Sequence, residues 1–428
     1  MKCSGNRENL YLCEVMNTRY RIYPPEQLRA TISPPPSKSI AARLMTIRAL
    51  AGMPPIRIDN PCDDLRVLAN GLTTADTTIN VGHSGTALRL LTAFHATREG
   101  AERVITGSER LCQRPVSTLV DALRAIGAQI DYLDGEGHAP IRVRGRRLQR
   151  SARVCVDASV SSQFITALAL IAPITGGMTI ELTGNLVSRP YVEMTLALMN
   201  RYGIETMWND NTIHIGAGPY LTGPDEVEAD WSAAAFWLTL PLFYPDGEIT
   251  LRGLTDNSLQ GDRRAATLLR QWGLAAVWNA DGTLTARRDT NACCCCSTFA
   301  DLLGTPDLAP TLTVALCLLG RPFRLTGLST LRHKESHRTR ALAQELARLG
   351  FRLTLEGDDA MSWHFATCET EPDPTLNPHD DHRLAMALTL AALSHPGIAI
   401  AQPDAVTKSY PGFWTDLRRA GFRIEREK

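Results

Sequence analysis

Leu342-Ala-Gln-Glu-Leu-Ala-Arg-Leu349-Gly350-Phe-Arg-Leu-Thr-Leu355 reads as an amphipathic helix, a glycine just past its end, and an alternating strand. Glycine at that place supplies the left-handed residue that lets a helix stop and the chain turn back. The pattern recurs as Leu119…Ile126-Gly127-Ala-Gln-Ile-Asp-Tyr, as Leu196…Tyr202-Gly203-Ile-Glu-Thr, as Leu268…Trp272-Gly273-Leu, and as Leu417…Ala420-Gly421-Phe-Arg-Ile. These glycines, at 127, 203, 273, 350 and 421, are spaced by 76, 70, 77 and 71 residues, and Asn70-Gly71 reads as a weaker copy ahead of them. Such spacing marks an internal repeat of roughly seventy residues in about six units. Each unit is expected to hold two helices and several strands, an α/β class with two sets of three.

Length agrees with that division, since 428 residues exceed one ordinary core. Lys+Arg and Asp+Glu both number 45, so the zero net charge argues against bulk binding to nucleic acid or an anionic membrane. Any positive site must be made by clustering. The eleven cysteines, including the run Cys293–Cys296, show neither a disulfide framework nor zinc-knuckle spacing. The run reads as reduced thiols in or beside a strand. Met1 to Asn9 is polar, with no apolar signal core, and no stretch approaches a membrane span, so a cytoplasmic location is expected.

Lysine is rationed in this chain. Only positions 2, 38, 334, 408 and 428 carry it, against 40 arginines. Arginine is a fixed planar fork, whereas lysine is a compact, mobile charge whose pKa shifts readily. Lys38, Lys334 and Lys408 therefore mark places that need an ammonium. Polar chemistry gathers with them at expected helix starts: Ser37-Lys38-Ser39 with Arg43, His83-Ser84-Gly85-Thr86, Ser161-Ser162-Gln163, Asp230-Trp-Ser232, Pro306-Asp307, His333-Lys334-Glu335-Ser336-His337-Arg338 and Asp380-Asp381-His382-Arg383. Helix N-termini favour anions. Capping alone explains one Ser or Asp at such a place, but not the added cations at successive starts. Lys38, Ser39, Arg43, Arg114, Ser161, Ser162, Gln163, Lys334, Arg338, Arg383 and Lys408, with Asp307 and Glu335 as carboxylates, fit two anionic small molecules with a base and an acid at hand. No Walker loop, dinucleotide fingerprint, nucleophile elbow or Asp-rich metal cluster is present. His333 and His337 stand four apart but lack a third ligand motif for zinc.

From about Ile32 to the C-terminus the chain resembles the EPSP synthase (3-phosphoshikimate 1-carboxyvinyltransferase) family of enolpyruvyl transferases. Ten segments carry the resemblance in order: Pro36-Ser37-Lys38-Ser39…Arg43, Ser84-Gly85-Thr86-Ala87-Leu88-Arg89, Gln113-Arg114-Pro115, Ser159-Val160-Ser161-Ser162-Gln163-Phe164, Leu186-Val187-Ser188-Arg189-Pro190-Tyr191, Asn257-Ser258-Leu259-Gln260-Gly261-Asp262, Pro306-Asp307, Lys334-Glu335…Arg338, Asp381-His382-Arg383 and Lys408-Ser409-Tyr410-Pro411. The resemblance implies two lobes of three βαβαββ units each, an inside-out α/β barrel arrangement with the site in the cleft. The first lobe is expected at 35–228, the second at 1–34 plus 229–428. In the implied reaction the 5-hydroxyl of shikimate 3-phosphate attacks C2 of phosphoenolpyruvate, and phosphate is then eliminated. The resemblance assigns Lys38, Ser39, Arg43, Ser161, Ser162, Gln163, Ser188, Asp307 and Lys334 to the phosphorylated shikimate. It assigns Lys38, Gly85, Arg114, Gln163, Arg338, Arg383 and Lys408 to phosphoenolpyruvate. Asp307 is the implied base on the shikimate hydroxyl, Glu335 the proton carrier at the enol methylene, and Lys38 the group serving both substrates.

Two departures stand out. His83-Ser84-Gly85-Thr86-Ala87-Leu88-Arg89-Leu90 replaces the family's Asn-Ala-Gly-Thr-Ala-Met-Arg-Pro, and Thr330 stands where an Asn is usual. Gly85 is kept, so glyphosate is expected to compete with phosphoenolpyruvate. The related UDP-N-acetylglucosamine enolpyruvyl transferases carry Lys-Asn in place of Lys38-Ser39, and a Cys five residues before the Arg-Pro. Here that place is Glu109, and Cys112 is two before Arg114. A non-catalytic anion-binding module would lack Asp307 and Glu335. The expected partners are the two small-molecule substrates, with no cofactor, metal, nucleic acid or membrane, and the expected state is a monomer.

Overall fold

The computed structural model describes residues 18–289 and 298–427, so the polar N-terminus and Cys293–Cys296 lie outside the described residues. The chain divides into two compact units. An inserted unit, Pro36–Asp230 with Asn257–Gly261, interrupts a flanking unit built from Met1–Pro35, Trp231–Asp256 and Asp262–Lys428.

In the inserted unit, helices α1 (Lys38–Leu50), α2 (Asp63–Thr73), α3 (Gly85–Ala96), α4 (Ser162–Ile171) and α5 (Arg189–Arg201) pack beside two four-stranded sheets. One sheet runs Thr78–Asn80, Glu102–Thr106, Ile141–Arg144, Gln129–Tyr132; the other runs Ala152–Asp157, Met178–Thr183, Thr212–Ile215, Thr206–Asn209. The first pair of each sheet is parallel and the rest antiparallel, which is the strand order a βαβαββ unit generates. Ala152–Asp157 alternates buried and exposed residues, so one face of the sheet meets the core. By contrast α3 and α4 are buried almost all round, because apolar residues and Ala occupy every side of them. Helices form the centre of this unit and sheets its faces. The first repeat holds α1 and α2 with a single-residue bridge, Pro36 to Ala229, in place of a sheet.

The flanking unit carries three such sheets. Leu274–Trp278, Leu284–Arg288, Glu248–Leu251 and Arg29–Ile32 form one, and Thr298–Asp301, Phe323–Thr326, Ala360–Trp363 and Thr354–Glu356 the next. Thr375–Leu376, Ile398–Ala401, Arg19–Tyr23 and Arg423–Glu427 form the third. Its central helices include α6 (Ala309–Leu318) and α8 (His382–Thr389), with α7 (Arg338–Ala347) between them in sequence. Among the described residues no helix is long and apolar enough to cross a membrane.

Three expectations need correction. Asn257–Gly261, placed by sequence in the second lobe, packs with the inserted unit. Gln260 explains this: its Nε2 donates to Glu228 Oε1 and to the Ala229 carbonyl, each at 2.9 Å, and its Oε1 accepts from Ser37 Oγ at 2.9 Å. Gly71 is no helix cap. It lies inside α2, where an added Cβ would stand 2.3 Å from Leu91 Cδ1, so it is a close-packing glycine. The third concerns Lys334-Glu335, which precede the helix instead of opening it, since α7 begins only at Arg338.

The five repeat glycines all have positive φ, between 81° and 99°. Gly127→Ala, where an added Cβ meets nothing within 4 Å, should isolate the backbone cost at about 1–2 kcal/mol. Gly71→Ala should cost about 1–3 kcal/mol through overpacking. Thermal unfolding checks both as a lowered Tm relative to the parent chain.

Candidate active site

Each unit presents a polar cluster, and each was built from the helix starts. In the inserted unit, Ser37 Oγ accepts from Ile40 N and so sets the first turn of α1. Lys38 then points its Nζ at Asp64 Oδ2, 2.8 Å away on α2, while its backbone N donates to Asp230 Oδ2 at 3.2 Å. Asp64 is buried, and whereas the sequence pattern marks Asp230 at a helix start, it gives no sign of Asp64. A Lys on one helix start and an Asp on the next are separated by 26 residues, with no local pattern linking them.

Arg43, one turn along α1, is 4 % exposed. Its Nε donates to Thr195 Oγ1 at 2.7 Å, Nη1 to the Ser39 carbonyl at 2.8 Å, and Nη2 to the Tyr191 carbonyl at 3.0 Å and Thr166 Oγ1 at 3.3 Å. It therefore ties α1 to α4 and α5, with one Nη1–H left for a ligand oxygen. Burial pushes its pKa down to about 10, opposed by Tyr191, so it stays charged at neutral pH. Ser161 caps α4 through Gln163 N. The Gln163 Nε2 donates to Thr86 Oγ1 at 3.2 Å, and its buried Oε1 has no hydrogen-bond partner. Ser162 is buried, whereas Ser39 and Ser161 are partly exposed. Ser188 opens α5 in the left-handed region, φ 55° and ψ 40°, a conformation that costs a non-glycine residue about 1 kcal/mol or more. Gly85 lets two guanidiniums approach: an added Cβ would lie 2.4 Å from Arg89 Nη1 and 2.7 Å from Arg114 Nη1.

The flanking unit gathers Asp307, Lys334, Glu335, Arg338, Asp381, Arg383 and Lys408. Arg338, 1 % exposed, is the hub. Its Nε donates to Asp381 Oδ2 at 2.7 Å and its Nη2 to Asp381 Oδ1 at 3.1 Å, a bidentate pair. Nη1 donates to Asp307 Oδ1 and Nη2 to Glu335 Oε2, both at 2.9 Å. Lys334 Nζ shares Asp307 Oδ1 at 2.9 Å, Arg383 Nη2 stands 3.8 Å from Asp307 Oδ2, and Lys408 Nζ donates to Glu335 Oε1. Asp381, fully buried, also caps α8 by accepting from Arg383 N at 2.9 Å.

Burial opposes the charge of Asp307, but Lys334, Arg338 and Arg383 together outweigh it and hold the carboxyl well below the usual range. Burial likewise opposes the Arg338 charge, and Asp381, Asp307 and Glu335 override it, raising its pKa. Four cations face three carboxylates here, which leaves the cluster receptive to an anion. Glu335, Asp381 and His382 lie close enough to hold a metal ion, but Arg338 already engages both carboxylates. His333 and His337 do not share a helix face. His333 Nε2 accepts from Arg332 Nε at 2.9 Å, and His337 Nε2 lies 3.4 Å from Asp358 Oδ1. Thr330 is buried, and its Oγ1 has no hydrogen-bond partner.

The EPSP synthase (3-phosphoshikimate 1-carboxyvinyltransferase) family model matches residues 65–417. A 3-phosphoshikimate 1-carboxyvinyltransferase of Bacteroides fragilis (strain ATCC 25285) is 40 % identical over 410 residues, covering 95 % of this chain and 99 % of that one. One from Ralstonia pickettii is 34 % identical over 427 residues, with 92 % and 97 % covered. Among solved structures, EPSP synthase from Acinetobacter baumannii aligns with a TM-score of 0.72 at 20 % identity, covering 96 % and 100 % of the two chains. The enolpyruvyl transferase NikO from Streptomyces tendae aligns at 0.69 and 18 %, covering 96 % and 98 %. These structural likenesses speak to the fold.

Asp381→Asn should destabilise the protein by about 3–5 kcal/mol, because it strips the buried Arg338 of its bidentate partner. The depressed pKa of Asp307 adds stability that is complete above its unfolded value, near 4, and is lost as pH falls through the folded value. Tm measured against pH should accordingly fall less steeply below about pH 4 in Asp307→Asn than in the parent chain.

Proposed function

Because the chain belongs to the EPSP synthase (3-phosphoshikimate 1-carboxyvinyltransferase) family, we propose that the clusters at its helix starts divide the work of that reaction between them. The carboxyvinyl group of phosphoenolpyruvate passes to the 5-hydroxyl of shikimate 3-phosphate and phosphate leaves, a step in aromatic amino-acid biosynthesis. Shikimate 3-phosphate is held by Lys38, Ser39, Arg43, Ser161, Ser162, Gln163, Ser188 and Lys334. Phosphoenolpyruvate is held by Lys38, Gly85, Arg114, Gln163, Arg338, Arg383 and Lys408. Asp307 takes the hydroxyl proton as the 5-oxygen bonds to C2. Glu335 delivers a proton to C3 and then removes one as the C2–O bond to phosphate breaks. Cations about the two phosphates stabilise charge as it moves from ester to leaving group.

The observation that carries this reading is Arg338 gripping Asp307 and Glu335 at once, each at 2.9 Å. That grip explains how a strongly ionised carboxylate becomes a useful base. Lys334, Arg338 and Arg383 depress the basicity of Asp307. Anionic substrates that draw those cations away restore it, so base strength rises with occupancy. The protein is read as a cytoplasmic monomer, since nothing in this chemistry calls for a second chain.

Phosphate release from phosphoenolpyruvate should require shikimate 3-phosphate and be absent with UDP-N-acetylglucosamine; the reverse specificity, or binding without turnover, overturns the reading. Glu335→Ala and Lys38→Met should each lower turnover by about 10²–10⁴-fold or more with unchanged circular dichroism. Turnover like that of the parent chain removes the residue from the mechanism. Glyphosate should inhibit competitively against phosphoenolpyruvate, which a set of rate curves at fixed shikimate 3-phosphate checks.

A further inference from the structure

We propose that a cavity at the C-terminal ends of α1, α2 and α3 is a second ligand site, which takes a small apolar molecule bearing one carboxylate. The cavity holds about 690 Å³, and none of the candidate active-site residues lines it. That volume falls within the roughly 300–1,000 Å³ usual for small-molecule sites. Met45, Met53, Leu72 and Phe94 supply apolar walls, and no acidic residue contributes to the lining. Lys38, Asp64 and Gly85 stand at the opposite ends of the same three helices, about 20 Å away along α1.

Charge identifies the ligand class. Arg98 and Arg103 both line the cavity, and among the described residues neither has a carboxylate partner. Arg98 donates through Nη2 to the Ala49 carbonyl at 2.8 Å and lies over the Phe94 ring, 4.2 Å from its centroid. Burial lowers its pKa, which reflects a guanidinium kept charged in poor solvent. Arg103 donates only to backbone carbonyls, Glu102 at 2.9 Å and Thr74 at 3.4 Å, and its buried Nε has no partner. Two such cations beside apolar walls suit a carboxylate joined to a hydrocarbon body.

His95 lines the same cavity and adds no charge. Its side chain is 4 % exposed, and Nε2 stands 2.9 Å from the Gly71 carbonyl, which can only accept. Nε2 therefore carries the proton, and the buried Nδ1, which has no partner, is an acceptor. Burial, against the Gly71 bond and aided by Arg103 and Arg98, pushes the His95 pKa down to about 4 and keeps the ring neutral. Arg98, Arg103 and His95 each engage a carbonyl at a helix C-terminus, Ala49, Thr74 and Gly71, and the N–H groups of the two guanidiniums not spent on those carbonyls, with no carboxylate to meet them, are what the ligand would use.

Calorimetry on the full chain, saturated with shikimate 3-phosphate, tests the site by binding alone and so independently of turnover. The probes are 3-phenylpropionate, indole-3-propionate and octanoate, with 3-phenylpropanamide as the uncharged control. At least one carboxylate should bind with 1:1 stoichiometry at about millimolar Kd or tighter. The amide should bind at least about tenfold more weakly than its acid. Arg98→Met and Arg103→Met should each weaken the carboxylate by about tenfold or more. Thr73→Trp, placing bulk at an exposed lining position, should block it. Arg98 also holds the Ala49 carbonyl, so Arg103→Met and Thr73→Trp keep the test decisive if Arg98→Met fails to fold. Absence of saturable binding by all three carboxylates overturns the proposal. So does equal binding of acid and amide, or binding unchanged in both Arg103→Met and Thr73→Trp.

Discussion

One buried guanidinium organises the flanking unit's chemistry. Arg338 reaches three carboxylates from three different segments, Asp307 ahead of α6, Glu335 in the loop before α7, and Asp381 at the start of α8. Desolvating such a charge is costly by itself, and here three anions offset it. Only a rigid fork with five donors could satisfy so many acceptors in fixed directions. Lysine in that place would hold at most one of them well. The segments that carry Asp307, Glu335 and Asp381 are thereby fixed relative to one another by a single side chain.

Lysine does the complementary work. Each of the three internal lysines meets a carboxylate: Lys38 meets Asp64, Lys334 meets Asp307 and Lys408 meets Glu335. An ammonium has three donors that turn freely, so it can keep its carboxylate and still offer hydrogens to an arriving anion. Arg43 shows the contrast, since its donors are spent almost entirely on tying α1 to α4 and α5. Arg43 and Arg338 thus tie segments together through several acceptors at once, while each internal lysine adds a mobile charge beside a carboxylate.

Much of this was legible in sequence because it is local. A glycine after an amphipathic run implies a left-handed turn, and Gly127, Gly203, Gly273, Gly350 and Gly421 all adopt one. Ser37, Ser84, Ser161 and Asp381 cap helices where the polar clusters stood. The hub character of Arg338 was not legible, since Asp307 and Asp381 are 31 and 43 residues away. Asp64 escaped for the same reason. Asn70-Gly71 misled because a glycine needed for close approach to Leu91 looks, in sequence, like a glycine needed for a turn. The loop at Lys334-Glu335 misled because cations and carboxylates there serve each other before any helix begins.

The insertion of one unit into the other also sets a timetable for synthesis. Arg19–Tyr23 pairs antiparallel with Ile398–Ala401 and with Arg423–Glu427. At roughly 5–20 residues per second, the ribosome needs on the order of 20–80 s to deliver those partners. All of Pro36–Asp230 emerges during that interval, so its helices and sheets can assemble before the strand that precedes them has anything to pair with. Until then Arg19–Tyr23 waits without these two partner strands. Its alternating arginines, Arg19 and Arg21, are then more than future partners of Glu427: they keep the strand charged, and a charged edge resists pairing with the same strand on a neighbouring nascent chain.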